Sequence, residues 1–279
     1  MEHTTKVCNR LLAALPPADL DLLVPHFRKV ALERDTVLAR TGDPVQRIYF
    51  PLSGLVAFIM DMPSGETVAT AVVGNDGAAG LLSALGPTRS PVTTAVRVAG
   101  TALQISPAQF QAALRRSNAI RELVQTLTRS LLAQFQHTAA CNALHTVEAR
   151  LARWLLQVHD RADGDVLPLT QEMLSELLGV RRPTVTHVVR RLRASGAVRS
   201  NRRSLIEIDR PRLEETACEC YQLMRRRIEQ INSPEDTKPS GHARPADEPR
   251  ARVSLFAKAE ESRPRPRTHG VFGQRPRSH

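Results

Sequence analysis

The sequence predicts an α+β protein: an N-terminal antiparallel β-barrel or sandwich, a long helix, and a C-terminal winged helix-turn-helix. Three observations carry this. Residues 30–105 break into short apolar or alternating runs separated by turn signals. An apolar stripe at helical spacing begins near Asn118. Residues 170–208 read as two helices joined through a glycine, followed by two short strands around a basic turn.

Residues 7–15 are expected to form a short helix stopped by Pro16-Pro17, and residues 19–27 a second one. Turn signals such as Thr41-Gly42-Asp43-Pro44, Pro63-Ser64-Gly65 and Gly74-Asn75-Asp76-Gly77 then separate the runs 48–50, 55–60, 67–73 and 93–98. Strands at such close spacing pair antiparallel. Pro107 opens a short amphipathic helix carrying Phe110, Ala113 and Leu114. In the next helix Ile120, Val124, Leu127 and Leu131 recur at the 4-3-4 spacing of a coiled-coil seam, with Phe135 beyond them. These four are the expected dimer contact, although a helix packed inside one domain gives the same stripe. Val147, Leu151, Trp154, Leu155 and Val158 mark a helix that packs beneath the helix-turn-helix, with Trp154 in the core.

Thr170 is placed to cap the first helix of the motif, with Met173, Leu174, Leu177 and Leu178 on one face and Gly179 as its stop. Val185, Val188, Val189 and Leu192 form the buried stripe of the second helix, over about 182–194, which Gly196 ends. Thr186, His187, Arg190 and Arg191 therefore face outward, and Arg182, Pro183 and Thr184 form the leading end. In a helix-turn-helix that end enters the major groove, where arginine suits guanine and threonine a base edge or thymine methyl. Arg181 and Arg182 sit where the helix dipole disfavours cations, which helix stability does not explain. Two strands around Ser200-Asn201-Arg202-Arg203 form the wing, with Arg202 and Arg203 at its tip against phosphate. Residues 177–206 hold eight arginines and no acidic residue. Arg181, Arg190 and Arg191 are assigned with the wing pair to phosphate contact. Residues 213–231 are expected as one final helix. Beyond it, residues 232–279 carry seven prolines and ten Lys/Arg against six Asp/Glu, the composition of a disordered basic tail.

The net charge of +11 over 279 residues favours an anionic partner. No apolar run approaches the roughly 18 residues of a membrane span. The N-terminus shows no secretory pattern, so the chain is expected in the cytoplasm. Ser83, His137 and Asp61 are not brought together by any pattern, and no phosphate-binding glycine loop is present. No catalytic residues are assigned, and the protein is expected not to be an enzyme.

Further stretches carry a family resemblance: Ile48-Tyr49-Phe50-Pro51-Leu52-Ser53-Gly54, Gly74-Asn75-Asp76-Gly77-Ala78-Ala79-Gly80, Asn142-Ala143-Leu144-His145 and Arg150-Leu151-Ala152-Arg153-Trp154-Leu155-Leu156. They continue through Leu169-Thr170-Gln171-Glu172, Gly179-Val180-Arg181-Arg182-Pro183-Thr184-Val185-Thr186 and Ala217-Cys218-Glu219-Cys220-Tyr221. In this order they resemble the Crp/Fnr family of bacterial transcription regulators, over roughly residues 11–221. The resemblance implies a β-roll effector domain shaped like a cyclic-nucleotide-binding barrel (1–117), a dimerisation helix (118–144), a winged DNA-binding domain (145–231) and a tail outside the family pattern (232–279). It implies a homodimer on an inverted-repeat DNA operator, with RNA polymerase as a partner. It places base reading at Arg182, Pro183 and His187, with Arg190 toward phosphate. Pro183 stands for the usual acidic reader and His187 for the usual arginine, so the common family box is not the expected operator.

The effector stays unassigned. Cyclic-nucleotide binders of this kind use a Gly-Glu-Leu turn, and here the turn reads Gly80-Leu81-Leu82. Arg89 and Ser90 offer a weak phosphate pair, and Arg89 reads better as a surface-loop residue. Cys218 and Cys220, two apart on an expected helix, point in different directions. Cys8 and Cys141 stand alone, so neither an iron–sulfur cluster nor any other metal site is expected. No histidine is singled out for haem. Two other readings remain: a cyclic-nucleotide receptor, disfavoured by the missing glutamate, and a charge-driven non-specific nucleic-acid binder.

Overall fold

In a computed structural model, residues 9–86, 89–162, 164–200 and 205–231 are described, all within one unit, Met1–Lys238. Two short helices, α1 (Arg10–Ala13) and α2 (Pro17–Leu20), precede a 3-10 turn at Val24–His26. Asn9 caps α1 by accepting from the Leu12 N–H. Pro17 begins α2 rather than only closing α1, because proline fits a first helical turn.

Seven strands follow: β1 (Arg28–Leu32), β2 (Val37–Ala39), β3 (Ile48–Pro51), β4 (Leu55–Asp61), β5 (Thr67–Val73), β6 (Thr93–Val98) and β7 (Gly100–Ile105). They form two antiparallel sheets ordered β1-β7-β3 and β2-β6-β4-β5. The runs at 67–73 and 93–98 match β5 and β6 end to end. Gly80 begins a 3-10 turn (Leu81–Leu85) at φ +79°, and a Cβ there would lie 2.6 Å from the Arg47 carbonyl oxygen. Only glycine allows that approach.

Helices α3 (Pro107–Arg116) and α4 (Asn118–Leu144) follow, capped by Ser106 and Ser117. Here one expectation is corrected. Ile120, Val124, Leu127 and Leu131 are 0–6% exposed and pack with Phe50, Val73 and Phe110 in the barrel core. The 4-3-4 stripe is the helix's own domain contact. Its outward face carries Gln125, Arg129, Leu132, Gln136, Ala139 and Ala143.

The C-terminal half comprises α5 (Val147–His159), β8 (Val166–Leu167), α6 (Gln171–Leu178), α7 (Arg182–Ala194), β9 (Val198–Ser200), β10 (Ile206–Ile208), α8 (Arg210–Thr216) and α9 (Cys220–Ile231). β10 lies between β8 and β9, both antiparallel to it. The expected final helix is two helices, because Ala217 is extended at ψ 148° and breaks the run. Trp154 is 1% exposed, as expected, and the buried Arg153 guanidinium stacks 4.6 Å above its ring. One core unites α5, α6 and α7 with Leu55, Ile59, Ala69 and Val72 of the barrel. No helix among the described residues is long and apolar enough to cross a membrane.

Candidate DNA interface, effector cavity and cysteine cluster

The Thr170 hydroxyl accepts from the Met173 N–H and starts α6. Gly179 ends it in the left-handed region at φ +62°, which glycine adopts without a Cβ penalty. The chain then turns into α7, with Arg181 at its N-cap and Pro183 in the first turn. Val185, Val188, Val189 and Leu192 are buried. Anchoring that face turns Arg181, Arg182, Pro183, Thr184, His187, Arg190 and Arg191 to the outside, where all are exposed. Thr186 differs: it is half-buried, and its hydroxyl lies 3.1 Å from both Gln171 Oε1 and the Arg182 carbonyl. Its polar atom is engaged within the motif.

Two of the arginines have carboxylate partners. Arg182 Nη2 lies 2.8 Å from Glu172 Oε1, and Arg191 Nη2 lies 2.8 Å from Glu148 Oε2. Both arginine side chains are 62% exposed, and such surface pairs contribute about 0–1 kcal/mol. They hold the guanidiniums without locking them. On the wing Arg199 pairs with Glu207 at 3.3 Å. Arg202 and Arg203 lie outside the described residues, as does the tail 232–279.

Two forked ion pairs join this half to the barrel. Arg97 of β6 gives Nε and Nη2 to the two Glu176 oxygens of α6, each at 2.7 Å. Arg161, just after α5, gives Nε and Nη2 to Asp76 at 3.0 and 2.7 Å. Their partners are 79 and 85 residues apart, so no local pattern announces them.

Between the barrel and α4 lies a cavity of about 670 Å³. Tyr49, Phe58, Met60, Leu81, Leu131 and Phe135 are among its largely apolar walls, and among the described residues Arg47 is the one charged side chain lining it. Burial pushes the Tyr49 phenol up, with Arg47 partly opposing. Ser90 lines the cavity, but its hydroxyl donates to the Val92 carbonyl at 2.6 Å. Arg89 is exposed and donates to the Gly42 carbonyl at 2.7 Å, outside the cavity wall. The two groups of the weak Arg89-Ser90 phosphate pair are thus each engaged with a nearby carbonyl. The Ser83 hydroxyl is likewise occupied locally, donating to the Gly80 carbonyl at 2.6 Å.

The cysteines require a correction. Cys218 and Cys220 do not diverge on one helix, because α9 begins only at Cys220 and Cys218 sits in the α8–α9 corner. Cys141 near the end of α4 faces them, with its sulfur 3.5 Å from that of Cys218. His145, the C-cap of α4, places Nδ1 3.6 Å from the Cys220 sulfur. The hydrogen bond from Cys218 holds the Cys141 thiol down to about 4, against burial and with help from Arg153. Cys218 moves up through the same bond and its burial. His145 is raised, first by its bond to Cys141. The sequence signal is the Ala217-Cys218-Glu219-Cys220-Tyr221 motif, which forms a corner rather than a helix because Ala217 is extended.

Residues 29–117 match the model of the cyclic nucleotide-binding domain, and residues 149–216 that of the Crp-like helix-turn-helix domain. The chain is 27% identical over 220 residues to a CRP-like cAMP-activated global transcriptional regulator of Mycobacterium tuberculosis, covering 74% of this chain and 96% of that one. Among solved structures it resembles FixK2 from Bradyrhizobium japonicum, with a TM-score of 0.60, 17% identity and coverage of 69% and 98%. It also resembles a Crp/Fnr-family regulator from Eubacterium rectale, with a TM-score of 0.60, 16% identity and coverage of 77% and 99%. These two likenesses speak for the fold, and the matched domains for what it carries: the chain is a member of the Crp/Fnr family of DNA-binding transcription regulators.

Proposed function

We propose that the chain acts as a homodimer that reads an inverted-repeat operator with the leading end of α7 and answers to a largely apolar effector in the barrel. The observation that carries this is the orientation of α7: four buried apolar residues fix it, and the opposite face offers arginine, proline, threonine and histidine to solvent. Arg182, Pro183, Thr184 and His187 are the base readers. Thr186 contributes through its methyl group or after giving up its internal bond. Arg181, Arg190, Arg191, Arg202 and Arg203 take phosphate. Residues 1–117 sense, 118–144 pair the subunits, and 145–231 bind DNA. RNA polymerase is the expected protein partner, and no chemistry on a substrate is part of the role.

The pairing face is the outward stripe of α4 rather than the one buried against the barrel. Leu132 is 53% exposed and stands in a 4-3-4-3-4 series from Gln125 to Ala143. Leu132 and Ala139 also line the cavity, so an occupant would touch the dimer helix directly.

The walls favour an apolar occupant over a cyclic nucleotide. A ribose and a cyclic phosphate need a carboxylate and a converging cation; Leu81 occupies the carboxylate position and Arg89 lies outside the wall. The test is selection of bound sequences from a random DNA pool with the full chain at near-physiological salt, with and without cAMP. The reading predicts an enriched inverted repeat unaffected by cAMP. Enrichment only with cAMP overturns the effector assignment, and uniform binding of all sequences overturns the regulator reading.

A further inference from the structure

The end of α4 and the α8–α9 corner bring four metal-binding side chains to one point. One donor atom from each of Cys141, His145, Cys218 and Cys220 lies within 4.8 Å of all the others. Two of these separations are 3.5 Å between the Cys141 and Cys218 sulfurs and 3.6 Å between the Cys220 sulfur and His145 Nδ1. Zinc bonds of about 2.3 Å to sulfur and 2.0–2.1 Å to nitrogen give tetrahedral donor–donor edges of about 3.5–3.8 Å. The two short separations fall close to that spacing, and the remaining donors, all within 4.8 Å, need to draw in by about 1 Å at most. An iron–sulfur cluster spreads its ligands over several irons and needs a wider set.

Buried cysteines often pack simply as small apolar side chains. Two features go beyond packing. His145 Nε2 lies 3.1 Å from Glu219 Oε1; in the tautomer that donates Nε2–H to this carboxylate, the Nδ1 lone pair is left for the sulfur side. A carboxylate behind a histidine is the usual outer support of a metal ligand. Arg153 is fully buried, and among the described residues its Nε and Nη2 lack a hydrogen-bond partner. A buried guanidinium calls for a compensating negative charge, which three thiolates around one divalent ion supply.

We propose that Cys141, His145, Cys218 and Cys220 form a closed tetrahedral site for one zinc-type divalent ion. Four protein donors leave no open position, so the ion is structural. On binding, the protons still held by the three cysteines pass to solvent and the sulfurs bond the metal. The site ties the last turn of α4 to the first turn of α9. It lies beside Thr146, where the chain leaves the long helix for the winged domain, and so it sets the angle of that exit. The inference stands on the cluster alone and does not depend on which DNA the protein reads.

The experiment uses the full chain purified under reducing conditions without added metal or chelator. Elemental analysis is expected to find one zinc per chain. Stripped protein titrated with Co²⁺ should show sulfur-to-cobalt charge transfer and tetrahedral bands at one equivalent, both reversed by Zn²⁺. Cys141→Ser and Cys218→Ser should each lose these bands. Glu219→Gln, on an exposed side chain, should fold normally and bind the ion about 10–100-fold more weakly. Metal-free protein that leaves Co²⁺ with its aqueous spectrum overturns the proposal. So does iron with inorganic sulfide, or a resting Cys141–Cys218 disulfide.

Discussion

Arg97 on β6 and Glu176 on α6 meet in a forked ion pair with both N–O distances at 2.7 Å, joining the barrel to the first helix of the helix-turn-helix. Their side chains are 13% and 16% exposed, so water screens the pair weakly. Removing one partner strands a largely buried charge. Arg97→Ala and Glu176→Ala should each destabilise the chain, and the double variant should lose less than their sum. A double-mutant cycle by chemical denaturation should return a coupling of about 1–3 kcal/mol. A coupling near zero would mean that the two lobes do not dock this way.

The surface arginines of α7 should separate into two behaviours. Arg182→Ala should cost about 1–3 kcal/mol on the preferred site and flatten preference at one base pair. Arg190→Ala should weaken all sequences alike and reduce the salt slope by about one. Titrations at several salt concentrations on specific and scrambled DNA distinguish them. Identical behaviour of both variants would contradict the docking of the helix.

The two faces of α4 should respond differently. Leu132→Glu should yield a folded monomer, read by sedimentation, because the side chain points outward. Ile120→Ala should cost about 2–5 kcal/mol of stability with little specific effect on association. If Ile120 rather than Leu132 governs association, the outward stripe is not the pairing face.

Gly179 holds the turn between α6 and α7 at φ +62°, and a Cβ there would lie 3.0 Å from a Val68 methyl. Gly179→Ala should destabilise by about 1–2 kcal/mol from backbone strain alone. A neutral effect on the thermal midpoint would show that the turn relaxes out of the left-handed region.

The sequence made the elements legible wherever local chemistry sets them. The Thr170 cap, the Gly179 stop and the Val185-Val188-Val189-Leu192 stripe fixed which side of α7 faces out. Their signals lie within a few residues of one another. The Ile120-Val124-Leu127-Leu131 stripe announced burial but not the partner, because a barrel and a second helix bury the same side chains. The ion pairs of Arg97 and Arg161 and the cluster around Cys141 depend on contacts 77 to 85 residues apart. Only the fold reveals these. One extended residue, Ala217, turned an apparent helix into a corner and brought Cys218 toward Cys141.

The most direct test of the central claim is the affinity of the full chain for its selected operator when about five base pairs are inserted between the half-sites. That insertion turns one half-site to the far side of the duplex, half a helical turn away. A dimer carrying two α7 helices in successive major grooves should lose most of its specific affinity, and restoring a full turn should recover part of it. Unchanged binding after the half-turn insertion would contradict paired recognition by α7.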